Sequence, residues 1–225
     1  MNKYEIIKKT EEFAPPELAE SWDCSGWLVE TERYNISRVM LALTVTEDVI
    51  KQAADAGCEM IISHHPLFTV PIEWKRIDIY CAHTNLDKTS GGTTDTLIKD
   101  LGLKVNEKQD FLRFVNCEYE VDEFIEKLKK ISPNLRYVNN KNIKIIKKIA
   151  FCAGSGFEFI EPAKDFGADA LVSGELKFHK ALESDIVLFD AGHFETETGV
   201  LKVLADVLND VKVLYAKEHN PFKYC

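Results

Sequence analysis

Apolar residues along this chain fall into short runs. Between them lie segments whose apolar positions recur every three or four residues. RVMLALT (38–44) is a run suited to a buried strand. TEDVIKQAADA (46–56) follows with helical spacing, Thr46 at the N-cap position and Gly57 at the stop. The same reading predicts strands at 59–63, 77–83, 136–139, 148–154, 169–173, 185–191 and 211–216. It predicts helices at 3–13, 93–103, 121–131, from about 155 to 166, at 176–183 and through 197–208. Pro15-Pro16 ends the first helix, and Gly102 and Pro133 mark the ends of two others. Strand and helix alternate almost throughout, which predicts an α/β fold.

The pattern repeats. VMLALTVTEDVIKQAADAGCEMIIS (39–63) lies over IAFCAGSGFEFIEPAKDFGADALVS (149–173) without a gap, at an offset of 110 residues. Identities fall at Ile50/Ile160, Ala53/Ala163, Asp55/Asp165, Gly57/Gly167 and Ser63/Ser173. In the same register His83 meets His193 and Asp87 meets Glu197. The expectation is two related α/β lobes, 1–103 and 149–225, joined by a connecting segment at 104–148. The lobes are expected to pack as one compact unit around a shared cleft lined by the ends of matching strands. The competing reading is a chance overlay of two generic strand-helix-strand units.

Composition narrows the class. With 225 residues, 45% of them hydrophobic, the chain can bury a core, which excludes disorder. A formal charge of −9 disfavours nucleic acid and anionic membranes, since both demand surplus Lys and Arg. The Lys-rich run KNIKIIKK (141–148) reads as a solvated turn leading into a strand. Six cysteines occur without a C-x-x-C pair, several inside apolar runs, and read as reduced, mostly core thiols, with Cys225 incidental. The opening MNKYEIIKKTEEFAPP carries charges throughout and lacks a signal peptide's apolar centre. No apolar run approaches the ~20 residues of a membrane span. The expectation is a soluble, cytoplasmic protein.

IISHHPLF (61–68) carries the first chemical signal. Adjacent side chains on a strand point to opposite faces, so His64 and His65 can serve one site only if the backbone turns there, as Pro66 favours. The polar groups at strand ends are His64, His65, His83, Asp87, His193, Glu195 and Glu197, holding four of the six histidines. Imidazoles and carboxylates without thiolate suit Zn, Mn, Fe or Ni, and two histidines with two carboxylates exceed what one tetrahedral ion needs. They suit two ions about 3.5–4 Å apart. If Gly192-His193 opens a helix, His193 and Glu197 share a face. Each residue also has a plain reading: a histidine beside a proline is often an ordinary loop residue. His83 reads as a residue that orients a ligand through its ring N–H, and Glu195 as solvated or supporting. His179 divides evenly between substrate contact and surface, and His219 reads as peripheral. CAGSG (152–156) and SGG (90–92) could present backbone N–H groups to an anion, though tight turns explain both.

These residues bring a family into view. SWDCSGWLV (21–29), IISHHPLF, HTNLDKTSGGTTDTL (83–97), ADALVSGELKFH (169–179), DAGHFETE (190–197) and NPFKY (220–224) resemble the Nif-three-like dinuclear metal-centre family. Its members are often called GTP cyclohydrolase I type 2 homologs. The resemblance runs nearly end to end. It implies a two-lobed protomer in a toroidal hexamer with two divalent metals per site. It implies that His64 and His193 hold one ion, that His65 and Asp87 hold the other, and that Glu197 bridges both. The short middle segment implies the compact form without an inserted domain. Three departures stand out. Thr44-Val45-Thr46 replaces the usual Asp-Val-Thr, Cys24-Ser25-Gly26 the usual Asn-Val-Gly, and Gly92-Thr93-Thr94-Asp95 the usual Gly-Val-Asn-Asp. They put substrate preference in doubt, not metal binding.

Two functions follow as expectations. The first is a metal-dependent hydrolase that activates a bridging water, with His83 or His179 as proton shuttle. The family name points to GTP with opening of the purine imidazole ring; a phosphoester is the other substrate class. The second is a non-catalytic hexameric scaffold that binds metal or a partner. Five ligands shared by two ions leave open positions, which favours chemistry or small-molecule binding.

Overall fold

The structure, a computed structural model, describes residues 1–223. Tyr224 of the closing NPFKY and Cys225 lie outside the described residues. The fold is α/β, built on two sheets. Its chain divides into two units that are not linear in sequence. Met1–Gly92 with Val200–His219 form the first, and Thr93–Gly199 with residues 220–223 form the second.

In the first unit, helix α1 (Lys3–Phe13) precedes the edge strand β1 (Gly26–Val29). Strand β2 (Arg38–Ala42), helix α2 (Glu47–Asp55), strand β3 (Met60–Ser63) and strand β4 (Asp78–Cys81) follow, then the short helix α3 (Thr84–Lys88). The sheet runs β1-β4-β3-β2-β11, where β11 is Lys212–Tyr215. β11, β2, β3 and β4 are parallel, and β1 is antiparallel at the edge. Parallel pairing explains the unbroken apolar runs: β3 and β4 are buried at every position. Met40, Ala42, Ile61 and Ile79 pack with Val49 and Ala53 of α2. Thr46 caps α2 as its position predicts, its hydroxyl accepting from Val49 N at 3.3 Å, and Gly57 takes the left-handed φ of 64° that a stop requires.

The second unit opens on α4 (Thr93–Asp100), then β5 (Glu107–Gln109), β6 (Leu112–Glu120), α5 (Val121–Leu128) and β7 (Arg136–Val138). Then come β8 (Ile145–Phe151), α6 (Ile160–Asp165), β9 (Ala170–Ser173), α7 (Phe178–Glu183), β10 (Val187–Asp190) and α8 (His193–Glu197). The sheet runs β5-β6-β8-β9-β10-β7, parallel at its centre from β8 to β10. Ile149, Phe151, Val172 and Phe189 pack against Leu97 of α4 and Phe124 of α5. Their alternates Ala150, Leu171 and Leu188 pack against Ile160 and Ala163 of α6, so both faces of the sheet are covered. The chain then enters α9 (Val200–Val207) and β11 of the first unit.

Segment 104–148, expected as a connection, supplies β5, β6, α5 and β7 to the second sheet. Strand β6 escapes the pattern because Arg113 interrupts its apolar face. That side chain is buried and held by Asp95, with Nε to Oδ2 at 2.6 Å. The C-terminal strand β11 pairs with β2, not with the second sheet.

The offset of 110 holds through β2-α2-β3 of one sheet and β8-α6-β9 of the other, where Val39↔Met60 matches Ile149↔Ala170. It slips by one at the third strand. Ser63 faces Cys81 and Ser173 faces Asp190, so the spacing becomes 109. In this register His83 corresponds to Gly192, the residue before α8, and not to His193. The ungapped overlay of His83 on His193 and Asp87 on Glu197 is therefore one residue out. The second half is one residue shorter between its second and third strands.

Thr46→Ala removes the α2 cap without touching the core. Thermal unfolding of the metal-free chain should show about 1 kcal/mol of lost stability, a fall in Tm of roughly 2–4 °C.

Candidate metal centre

In the first unit, β3 and β4 are parallel neighbours, so the loops leaving their carboxyl ends lie side by side. One loop carries His64 and His65, the other His83. The backbone does turn after Ser63: His64 N donates to Ala42 O and His65 N to Leu43 O, while Ser63 Oγ donates to His65 O at 3.1 Å. The rings of His64 and His65 come to 5.0 Å between centroids, with His83 at 5.2 Å from His64 and 5.9 Å from His65. Asp87, on the first turn of α3, puts Oδ1 3.5 Å from His64 Nε2. Ligand atoms of His64, His83 and Asp87 all lie within 4.8 Å of one another, close enough for one ion. His83, read from sequence as an orienting residue, is thus placed as a ligand candidate too.

The motif HTNLDKT is polar yet mostly buried because it fastens α3 to the segment after α1. Asn85 Nδ2 donates to Ala14 O at 2.7 Å and Thr89 Oγ1 to Phe13 O at 2.7 Å. Thr84 Oγ1 accepts from Glu20 N at 2.9 Å.

In the second unit, His193 begins α8 and Glu197 lies one turn on, as the spacing predicts. His193 Nε2 is 3.1 Å from Glu197 Oε2, and Glu197 is buried. Glu195 turns elsewhere and accepts from Asn220 Nδ2 at 2.7 Å. Gly154, with φ 70°, leaves room for Glu197: a Cβ there would collide with Glu197 Oε1. His179 stands exposed on α7, a helix with no buried residue.

Most N–H groups of the CAGSG turn are already engaged within the protein. Ala153 N donates to Thr94 Oγ1 at 3.0 Å, Gly154 N to Thr196 Oγ1 at 2.9 Å and Gly156 N to Ser173 Oγ at 2.7 Å. In SGG, Gly92 N donates to Thr89 O at 3.3 Å.

Each of the four histidines uses Nδ1 for a hydrogen bond within its own unit. His64 Nδ1 meets Ala82 O at 2.9 Å, His65 Nδ1 meets Thr44 Oγ1 at 2.6 Å, His83 Nδ1 meets Asp23 Oδ1 at 2.9 Å, and His193 Nδ1 meets Glu175 Oε1 at 2.8 Å. A carbonyl or carboxylate only accepts, so at His64, His83 and His193 the proton sits on Nδ1 and a neutral ring carries its lone pair on Nε2. That is the arrangement of a metal-ligating imidazole. The donor set, imidazole Nε2 with carboxylate oxygen, fits a divalent ion of the Zn, Mn, Fe or Ni class.

Charge supports the same picture. Burial alone would lower the pKa of His193, but the carboxylates of Glu197 and Glu175 at its two nitrogens prevail and raise it to about 9. A divalent ion held by that ring would therefore have to displace a proton at neutral pH. Burial would raise the pKa of Asp23, but hydrogen bonds from Thr84, Ser25 and His83 outweigh it and hold the carboxyl below its usual range. Asp23 stays ionised and keeps the His83 ring in place. Sequence reasoning missed Asp23 and Glu175. Asp23 lies within SWDCSG and Glu175 within SGELKFH, polar turns that periodicity does not rank.

Comparison with known proteins agrees along the whole chain. The family model described as Duf34/NIF3 (NGG1p interacting factor 3) matches residues 1–221. A protein of Clostridium perfringens named GTP cyclohydrolase 1 type 2 homolog is 34% identical, with 100% of both chains covered. The Drosophila melanogaster NIF3-like protein 1 is 29% identical over 95% of this chain and 85% of its own. Among solved structures, HcgD from Methanocaldococcus jannaschii superposes with a TM-score of 0.84 at 29% identity, covering 97% of this chain and 98% of that one.

Gly154→Ala forces a side chain into left-handed backbone and against Glu197. Zinc retained after dialysis should fall by at least half relative to the unaltered chain, measured by elemental analysis.

Proposed function

This chain belongs to the Duf34/NIF3 family, and from that premise we propose that it holds two divalent metal ions and acts as a metal-dependent hydrolase. The ligands in this reading are His64, His65, Asp87, His193 and Glu197, the set that the family resemblance implies. The observation that carries it is the hydrogen bond at Nδ1, which at the proposed ligands His64 and His193 leaves the lone pair of a neutral ring on Nε2, the atom a metal would take. When bound, such ions lower the pKa of a water and polarise an electrophilic carbon or phosphorus.

The chain's own residues supply the rest. Glu197 offers a buried carboxylate whose place Gly154 keeps open. Asp23 fixes the tautomer of His83, so Nε2 of that ring accepts a proton and returns it. His83 is supported over His179 as the proton carrier, because Asp23 orients it and it lies with His64 and His65. GTP is the first substrate to try, since several relatives carry the name GTP cyclohydrolase 1 type 2 homolog. A phosphoester is the second. A hexamer is the assembly this reading takes from the family resemblance.

Protein purified without chelator should contain about two ions per chain by elemental analysis. His65→Ala and Glu197→Gln should each lose close to one ion while remaining folded by circular dichroism. Full metal in both variants would refute the ligand set. Turnover of GTP or a phosphoester that disappears on chelation and returns with metal would establish the hydrolase; two ions without turnover on either class would favour a binding role. Light scattering at micromolar concentration should report an assembly larger than a dimer.

A further inference from the structure

Glu175 has a backbone conformation that its own chemistry does not explain. Among the described residues, three other than glycine have positive φ: Asp110 at 51°, Asn142 at 53° and Glu175 at 65°. Asp and Asn tolerate the left-handed region, because a short polar side chain can bond the local backbone. Glutamate has no such compensation. Nor does packing repay the strain, since the Glu175 side chain is 55% exposed.

The surroundings over-determine the turn. Asp190, buried at the end of β10, accepts from Glu175 N at 3.1 Å and Leu176 N at 3.2 Å. It also accepts from Gly192 N at 3.3 Å and is paired with Arg136. One carboxylate thus ties the loop after β9 to the residue just before α8. Gly174 brings the two backbones together: a Cβ there would lie 2.6 Å from His193 N. The result of this clamping is a side-chain contact, Glu175 Oε1 to His193 Nδ1 at 2.8 Å.

We propose that Glu175 is a positioning residue for the metal centre, held in left-handed backbone by Asp190 so that its carboxylate fixes the ring and tautomer of His193. It touches no reacting atom and acts through the imidazole it holds. The inference rests on the reading of His193 as a metal ligand. Strain at functional positions persists only where the surroundings impose it, as Asp190 and Gly174 do here.

Two variants test it, with zinc alone as the probe. Zinc affinity is measured by competition with a chromophoric chelator, and Tm is measured in excess chelator. Glu175→Gly relieves the backbone and removes the carboxylate. Its zinc affinity should fall about 10–100-fold, while its metal-free Tm stays within about 2 °C of the unaltered chain or rises. Glu175→Gln keeps an oxygen that accepts from Nδ1 and should recover most of that affinity. Glu175→Gly with unaltered affinity would overturn the proposal, and so would affinity and metal-free Tm falling together, which marks a merely structural residue. If the unaltered chain itself binds no zinc, it is the metal-centre reading that fails, and this inference with it.

Discussion

The hydrogen bond at Nδ1 of each site histidine is the constraint on which the proposed chemistry depends. An imidazole on a loop has two nitrogens, two tautomers and a freely turning ring. A carbonyl, a hydroxyl or a carboxylate at Nδ1 removes most of that freedom. Ala82 O, Thr44 Oγ1, Asp23 and Glu175 do this for His64, His65, His83 and His193. Three of the four partners can only accept, so they also decide where the proton sits. Thr44 is the exception, because a hydroxyl can accept or donate. It occupies the position where the family resemblance places aspartate, and it touches a proposed ligand directly.

These tethers work because the backbone delivers both ends of each. The partners come from loops at the carboxyl ends of neighbouring parallel strands, β3 with β4 and β9 with β10, or from turns packed against them. Parallel pairing requires a crossover and buries both faces of the strand, which leaves the strand ends as the place where polar groups can gather. Buried serines close the first of each pair. Ser63 holds the His64-His65 turn, and Ser173 accepts from Gly156 N and donates to Gly154 O at 3.0 Å. The glycines beside the second site are spacing devices. Gly154 makes room for a carboxylate, and Gly174 lets one loop touch the next.

The two sheets share a construction without copying each other's sites. The first unit gathers three imidazoles and an aspartate, and the second presents one imidazole between two glutamates. The one-residue slip at the third strand accounts for part of this difference. It moves the histidine from the position before the helix, as at His83, to the first helical position, as at His193. From that position Glu197 lies one helical turn away on the same face.

Periodicity by itself determined the α/β class, most of the strands and helices such as α1 and α2, because burial on one or two faces writes directly into residue spacing. The residue types determined the class of ligand chemistry, since imidazole and carboxylate without thiolate have few uses together at strand ends. Tertiary structure decided what spacing cannot encode. Strand β6 became visible only through the Asp95 carboxylate that allows Arg113 to be buried. The return of α9 and β11 to the first unit shows only in the pairing of β11 with β2. Asp23 and Glu175 were identified only by what they touch, 60 and 18 positions away in the chain. A hydrogen bond between distant residues leaves no period in the sequence, so the orientation of every site histidine had to wait for the fold.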